Sequence, residues 1–130
     1  MNILATVSVF LDIPLLSCYL TFYFQRTYII CMDTMSFTWD PQKNLMNQRK
    51  HDGIDFEEAK TVFYDEYARV IFDPQHSHQE DRFIILGLSS TLRILVVCHC
   101  YRESESLIRI ISARKASKKE EQSYERQRNA

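Results

Sequence analysis

The hydrophobic and polar positions after residue 34 fall into short blocks whose period changes along the chain. Residues 36–39 (SFTW) alternate polar and aromatic positions, which predicts a half-buried strand. Asp40 is suited to accept hydrogen bonds from the free N–H groups at a helix start, and Pro41 fits the first helical turn. These residues predict a polar helix over residues 41–51.

A second helix is predicted to begin at Asp55, because Asp55 can cap it and Glu58 lies at the capping-box position. The apolar side chains that share one face of this helix are Phe56, Ala59, Val62 and Phe63. A short strand over residues 68–72 and a polar turn over residues 73–81 are expected to follow.

Three strands and a helix complete the pattern. The strands are predicted over residues 82–88, 93–102 and 107–114. Their connections are too short for a crossover, so the strands must be antiparallel, and the second is apolar on both faces, as expected of a central strand. A charged helix begins at Ser117, with Glu120 at the capping-box position. The order β-α-α-β-β-β-β-α predicts an α+β fold with helices packed against a mostly antiparallel sheet.

Residues 1–34 have a different character. Residues 3–24 are almost wholly apolar and approach the roughly 20 residues that a membrane-spanning helix needs. Asp12 and Pro14 interrupt this run and no Lys or Arg precedes it, which argues against a working span and against a signal peptide. We expect residues 1–34 to be an over-called start or a disordered extension, with a membrane anchor as the alternative, and residues 35–130 to be the functional domain.

The overall composition is that of an ordinary globular protein, but the charged residues are distributed unevenly along the chain. The chain is 45% hydrophobic and 25% charged, which fits one globular domain, and its net charge of −1 provides no bulk attraction to nucleic acid. Residues 36–81 carry 5 Lys or Arg and 10 Asp or Glu, whereas residues 82–118 carry 7 Lys or Arg and only 2 Asp or Glu. Either the basic half forms a local phosphate-binding surface or the two halves pair internally, and charge alone leaves both readings open.

The chain contains four cysteines, Cys18, Cys31, Cys98 and Cys100. They are too few for a disulfide framework in a chain of this length, so we expect free thiols in a reducing, cytoplasmic compartment. The pairs Cys98-x-Cys100 and His76-x-His78 do not have the spacing of zinc ligands. We therefore predict neither a metal site nor a cofactor.

Cationic side chains recur where the predicted strands start or end. These positions are Arg82, Arg93, Arg102 and Arg114. Guanidinium groups bind phosphate oxygens through paired hydrogen bonds, so arginines gathered at one sheet edge would suit a phosphodiester. The alternative for each arginine is a solvated or salt-bridged side chain.

Three further side chains are candidates for chemistry. Lys50 and His51 close the first predicted helix, and histidine can act as an acid or a base near neutral pH. His51 is equally suited to cap the helix C-terminus. Tyr124 lies on the last helix and would reach the site if that helix docks there, or else serve as a packing contact.

The order and approximate spacing of several motifs resemble the BrnT family over residues 36–125. The motifs are Phe37-x-Trp39-Asp40, Asn47-x-x-Lys50-His51, Gly53-x-x-Phe56-x-x-Ala59, Glu80-x-Arg82 and the run Arg109-Ile110-Ile111-Ser112-Ala113-Arg114-Lys115-Ala116. Each motif is weak by itself, but the ordered set is specific. Asp52 departs from the pattern, since many relatives read Lys-His-Gly directly, so the resemblance does not fix the geometry of the loop at His51.

The resemblance implies a RelE-like fold and a cytoplasmic toxin of a type II toxin–antitoxin system, acting as a metal-independent endoribonuclease on RNA. It also implies a BrnA-like antitoxin partner, operator DNA contacted only through that antitoxin, and no membrane association unless residues 1–34 are translated. Toxins of this kind resemble metal-free ribonucleases, in which the ribose 2′-hydroxyl attacks the adjacent phosphate while the protein supplies an acid, a base and cations.

On this resemblance we expect the catalytic residues to be Lys50, His51, Arg82, Arg102, Arg114 and Tyr124. The lysine or the histidine would transfer a proton, the arginines would stabilise the charge that develops on the phosphate, and the tyrosine would contribute optionally. The alternative is an inactive module of the same fold that binds an antitoxin or nucleic acid without cutting.

Overall fold

A five-stranded sheet runs through the described part of the chain, residues 35–102 and 106–130 of the computed structural model. In spatial order its strands are β1 (Ser36–Thr38), β5 (Leu107–Lys115), β4 (Ile94–Arg102), β3 (Phe83–Leu88) and β2 (Arg69–Phe72). The pairs from β2 to β5 are antiparallel, and β1 pairs with β5 in parallel. The mostly antiparallel α+β fold is confirmed, with β4 at the centre of the sheet.

Three α-helices and two 3₁₀ turns surround this sheet. They are α1 (Pro41–Lys50), α2 (Phe56–Thr61), the turns Val62–Tyr64 and Pro74–His76, and α3 (Lys118–Arg128). The expectations for residues 1–34 lie outside the described residues, as does most of the turn expected between β4 and β5. Within the described ranges, no helix has the length and apolar character that a membrane span requires.

The predicted helix caps are present. Asp40 Oδ1 accepts a hydrogen bond from the Gln42 N–H at 2.8 Å, and Asp55 caps α2 in the same way. Ser117 and Glu120 form a reciprocal capping box at the start of α3. These local hydrogen bonds satisfy N–H groups that a helix start leaves free, so they fix where each helix begins.

The two faces of the sheet are covered unequally. The larger core lies on the face covered by α2 and consists of Ile54, Phe56, Ala59, Val62, Ile85, Leu95, Val97, Ile110 and Ala113. On the second face, Tyr124 of α3 packs with Leu86, Val96 and Ala116 in a smaller cluster. Because successive side chains of a strand point to opposite faces, the positions between the larger core's residues project to the second face, where the candidate site lies.

Candidate functional site

A cavity of about 310 Å³, here called the sheet cavity, opens beside α3 on the second face of the sheet. Its floor comes from three neighbouring strands and consists of Ile84, Val96, Cys98, Ile111, Ser112, Ala113 and Arg114. Its rim consists of His51, Asp73, His76 and Arg82. Three of the six predicted site residues, His51, Arg82 and Arg114, therefore line one space, although they come from separate segments of the chain.

An irregularity in the pairing of β4 with β5 shapes this floor. Cys98 pairs with Ser112 and His99 pairs with Ile110, which leaves Ile111 as an extra residue in β5. A β-bulge of this kind re-aims side chains relative to a regular strand. Ile111 and Ser112 are neighbours in sequence, yet both line the sheet cavity.

Arg82 enters the cavity as a cation without an ion pair in the described part of the chain. Its Nε atom is buried and has no hydrogen-bond partner there. The backbone around it is held firmly, because the Arg82 N–H donates to Ser77 Oγ and the Asp73 N–H donates to the Arg82 carbonyl, both at 2.9 Å. A buried guanidinium N–H requires an acceptor, and a phosphate oxygen is one that it binds well.

Arg114 is held by a carboxylate instead. Its two terminal nitrogens donate to the two oxygens of Glu120 at 2.9 and 3.0 Å. These bonds, supported by Ser117 and opposed by burial, lower the pKa of Glu120 to about 2. The same pairing raises the pKa of Arg114. The guanidinium at the cavity edge is thus fixed in orientation, and part of its charge is balanced.

Two imidazoles face the same cavity. His51 follows α1, where its N–H donates to the Asn47 carbonyl at 2.9 Å, so it does cap the helix while its ring lines the cavity. His76 Nδ1 lies 2.8 Å from Asp73 Oδ2. The sequence-based interpretation takes residues 73–81 as a polar turn and considers His76 only as a zinc ligand, so its predicted site includes neither Asp73 nor His76. An Asp-Pro turn with a histidine three residues after the aspartate, directly before a strand, is the signal that would have found them.

A family model described as the ribonuclease toxin BrnT of type II toxin–antitoxin systems matches residues 39–120. The chain belongs to the BrnT family. Membership makes it a ribonuclease toxin, with RNA as its substrate and an antitoxin as its partner. The matched span includes all of the sheet cavity's lining residues.

The fold has a solved counterpart. The 1.1 Å crystal structure of the Brucella abortus ribonuclease toxin BrnT is similar, with a TM-score of 0.50 and 24% sequence identity. The alignment covers 65% of this chain and 99% of that chain. No curated protein sequence matches the chain. The structural likeness therefore supports the BrnT fold, and the family model supports the ribonuclease toxin assignment.

The remaining three predicted site residues do not line the sheet cavity of this BrnT toxin. Lys50 is exposed at the end of α1. Arg102 pairs with Glu80 at 2.9 Å. Tyr124 is 2% exposed, and its hydroxyl donates to Asp65 Oδ2 at 2.8 Å. Tyr124 is therefore a packing contact between α3 and the sheet in this structure, which is the alternative that the sequence left open.

Of the two readings of the charge asymmetry, internal pairing is present in the BrnT toxin. Arg93 and Arg102 of the basic half pair with Glu58 and Glu80 of the acidic half. Glu58 also accepts hydrogen bonds from the hydroxyls of the β3–β4 turn, so Arg93 ties α2 to that turn. Arg82 takes part in no such pair within the described residues, which leaves its charge available in the cavity.

The described thiols of the BrnT toxin are Cys98 and Cys100, and both are free. Burial raises the pKa of the Cys98 thiol, with partial opposition from the charge of Arg82, so the thiol on the cavity floor is protonated at neutral pH. Within residues 35–102 and 106–130, no group of three or more His, Cys, Asp or Glu side chains is arranged to hold a metal ion. Cys18 and Cys31 lie outside these ranges.

Proposed function

We propose that the sheet cavity is the active site of an endoribonuclease in which the ribose 2′-hydroxyl attacks the adjacent phosphate without a metal ion. The observation that carries this proposal is the guanidinium of Arg82, whose buried Nε has no hydrogen-bond partner among the described residues, in a cavity that it shares with an imidazole. Phosphodiester cleavage of this type needs a proton-transfer group and cations placed where negative charge develops. The cavity brings both kinds of group together.

Each residue has a specific role in this proposal. Arg82 binds the non-bridging phosphate oxygens and stabilises the phosphorane-like transition state, because its side-chain N–H groups have no competing acceptor among the described residues. Arg114, oriented by Glu120, supplies the second cation at the cavity edge. His51 transfers a proton. The products are a 2′,3′-cyclic phosphate and a 5′-hydroxyl end. Lys50, Arg102 and Tyr124 lie outside the cavity, so the proposal does not depend on them.

The partner that we propose is a BrnA-like antitoxin. Covering the sheet cavity would block RNA from Arg82 and His51, which is the most direct way to neutralise this toxin in the cytoplasm. The antitoxin would carry the complex to operator DNA, since the toxin's net charge of −1 does not favour DNA binding by itself.

Expression of the full chain in a bacterial host tests the proposal. We expect growth arrest and fragmented RNA, relieved by Arg82→Ala at an equal level of soluble protein. Arg69→Ala is a matched control, because Arg69 is an exposed arginine of β2 that donates to Ser123 Oγ. Purified protein should cleave RNA equally well with and without EDTA. Normal growth with intact RNA, together with binding of RNA or antitoxin, would favour an inactive module instead.

We also propose that residues 35–130 carry the whole activity. Both core clusters described above are built from residues of this segment, and Ser36–Ala130 forms one compact unit. The segment expressed alone should therefore fold cooperatively and arrest growth as strongly as the full chain. Loss of toxicity or solubility in the shortened chain would show that residues 1–34 contribute to the activity.

A further inference from the structure

We infer that His76, oriented by Asp73, is a second proton-transfer residue of the sheet cavity and acts as the general base on the ribose 2′-hydroxyl. His51 then acts as the general acid on the leaving 5′-oxygen. This inference rests on the proposed function and extends it from one imidazole to a pair.

The exposure of the two partners suits this role. The Asp73 side chain is 11% exposed, whereas the His76 side chain is 65% exposed. A shielded carboxylate therefore holds a ring that substrate can reach, at a distance of 2.8 Å between Asp73 Oδ2 and His76 Nδ1. Both residues line the sheet cavity together with His51, Arg82 and Arg114.

The turn that carries the pair is fastened to Arg82. The Asp73 N–H donates to the Arg82 carbonyl at 2.9 Å, and the Arg82 N–H donates to Ser77 Oγ at the same distance. Ser77 Oγ in turn donates to the Asp73 carbonyl at 2.5 Å. The proposed base, His76, and the proposed phosphate-binding cation, Arg82, are thus held by one hydrogen-bonded loop. This loop fixes their positions relative to each other.

The carboxylate sets the chemistry of the ring. Asp73 is an acceptor, so the neutral imidazole donates Nδ1–H to it and keeps the lone pair on Nε2. A carboxylate in this position selects the tautomer and holds the ring in a fixed orientation while Nε2 takes up a proton. Nε2 of His76 is therefore the atom that accepts a proton from substrate.

The proposed step balances as follows. His76 Nε2 takes the proton of the 2′-hydroxyl while the 2′-oxygen forms a bond to phosphorus. The bond from phosphorus to the 5′-oxygen breaks, and that oxygen takes a proton from the His51 imidazolium. His76 ends protonated and His51 ends neutral, and exchange with water restores both. A reaction that needs one neutral and one protonated imidazole has a bell-shaped dependence of rate on pH.

Other charged and titratable groups surround His76, and they define the controls. Within the sheet cavity these are Asp73, His51, Arg82, Arg114 and the Cys98 thiol. In an adjoining cavity of about 280 Å³, His76 and Arg82 meet His78, Gln79 and Glu80. His78 belongs to the same loop as His76 but does not line the sheet cavity, so it is the matched control.

Single-turnover cleavage of a short RNA oligonucleotide by the full chain, measured across pH, tests the inference. We expect His76→Gln to lower the rate by about 10²–10⁴-fold and to remove the acidic limb of the profile. His76→Gly should regain part of its activity when free imidazole is added, which a purely structural role would not allow. Asp73→Asn should lower the rate less than His76→Gln does, and free imidazole should restore its activity less than it restores that of His76→Gly. His78→Ala should stay within about twofold of wild type.

The outcomes separate the two proposals. Cleavage by the wild type together with an unchanged rate and profile for His76→Gln overturns the role of His76 and leaves the proposed function intact. A slower His76→Gln variant with an unchanged profile, together with no rescue of His76→Gly by imidazole, also overturns it. Absence of cleavage by the folded wild-type chain overturns both proposals. Circular dichroism and thermal melts of each variant establish that the fold is retained.

Discussion

The side-chain amide of Asn47 pairs with both backbone polar groups of Ala113. Asn47 Nδ2 donates to the Ala113 carbonyl at 2.8 Å, and Asn47 Oδ1 accepts from the Ala113 N–H at 3.0 Å. In the described sheet, β1 pairs with β5 only as far as Arg109, so this amide takes the place of a strand partner farther along β5. It fastens α1, and with it His51, next to Arg114.

Replacing Asn47 therefore affects both stability and the site. Asn47 is 5% exposed and also donates to the Ile54 carbonyl at 2.9 Å. Asn47→Leu leaves three backbone groups unpaired, and we expect the free energy of unfolding to fall by about 2–4 kcal/mol. Urea denaturation measures this change. Lys43→Ala, on the exposed side of the same helix, should have little effect, and equal stability of Asn47→Leu and wild type would contradict the prediction.

Arg82 and Arg102 should differ in their contribution to cleavage. Both lie at strand ends, but within residues 35–102 and 106–130 the Arg82 side chain has no ion pair, while Arg102 is paired with Glu80. Loss of one group that stabilises transition-state charge lowers the rate by about 10²–10³-fold, and we expect this for Arg82→Ala. Arg102→Ala should lower the rate less than about tenfold. Initial rates on a labelled RNA measure both, and the reverse order would place the site at the other arginine.

The fold could be predicted because its signals are local. Asp40, Asp55 and Ser117 each precede a helix and bond to N–H groups within three residues of themselves. The strand over residues 94–102 is apolar on both faces, and only a central strand requires that composition. Periodicity and capping report on neighbours in sequence, so they located the helices and strands to within about one or two residues.

The site could be predicted only in part, because its membership depends on contacts between distant segments. Sequence shows that Arg82 and Arg102 are both at strand ends, but not that Glu80 pairs with Arg102 rather than with Arg82. Likewise, no periodicity signals that Asn47 binds Ala113 and so brings His51 to the cavity. His76 lies in a polar turn, where hydrophobic pattern carries no information about the direction of a side chain.

Substitution of Tyr124 tests whether this residue has a structural or a catalytic role. Its hydroxyl donates to Asp65 Oδ2, which also accepts from the Leu88 N–H at 2.8 Å. Burial and the bond to Asp65 raise the pKa of Tyr124, so the phenol remains a donor across the physiological range. Tyr124→Phe removes a hydrogen bond to a charged group, and we expect a loss of about 1.5–3 kcal/mol in stability.

Cleavage by the folded Tyr124→Phe variant should stay within about twofold of the wild-type rate. Chemical denaturation and initial rates on RNA, measured on the same preparation, separate the two effects. Tyr64→Phe is the control, since Tyr64 is 47% exposed. A large loss of cleavage rate with unchanged stability would instead indicate that Tyr124 has a catalytic role.

The ion pair of Glu120 with Arg114 predicts a specific dependence of stability on pH. The pKa of Glu120 is lowered from its ordinary value of 4.5 to about 2, chiefly by its hydrogen bonds with Arg114. A carboxylate with a depressed pKa stabilises the folded state fully above its unfolded pKa, and this stabilisation is lost as the pH falls through its folded pKa. The difference in stability between wild type and Glu120→Gln should therefore be constant above about pH 5 and shrink between pH 4.5 and 2.

Solvent screening of the ion pair limits the size of this difference in stability between wild type and Glu120→Gln. The side chains of Arg114 and Glu120 are 45% and 33% exposed, so we expect about 0.2–1 kcal/mol at neutral pH. Denaturation curves at several pH values measure it, with Glu121→Gln in the same helical turn as the control. If the difference for Glu120→Gln were independent of pH, the effect would come from the altered capping box rather than from the charge. The guanidinium of Arg114 would then be positioned by shape alone, and its orientation in the cavity would survive acidification.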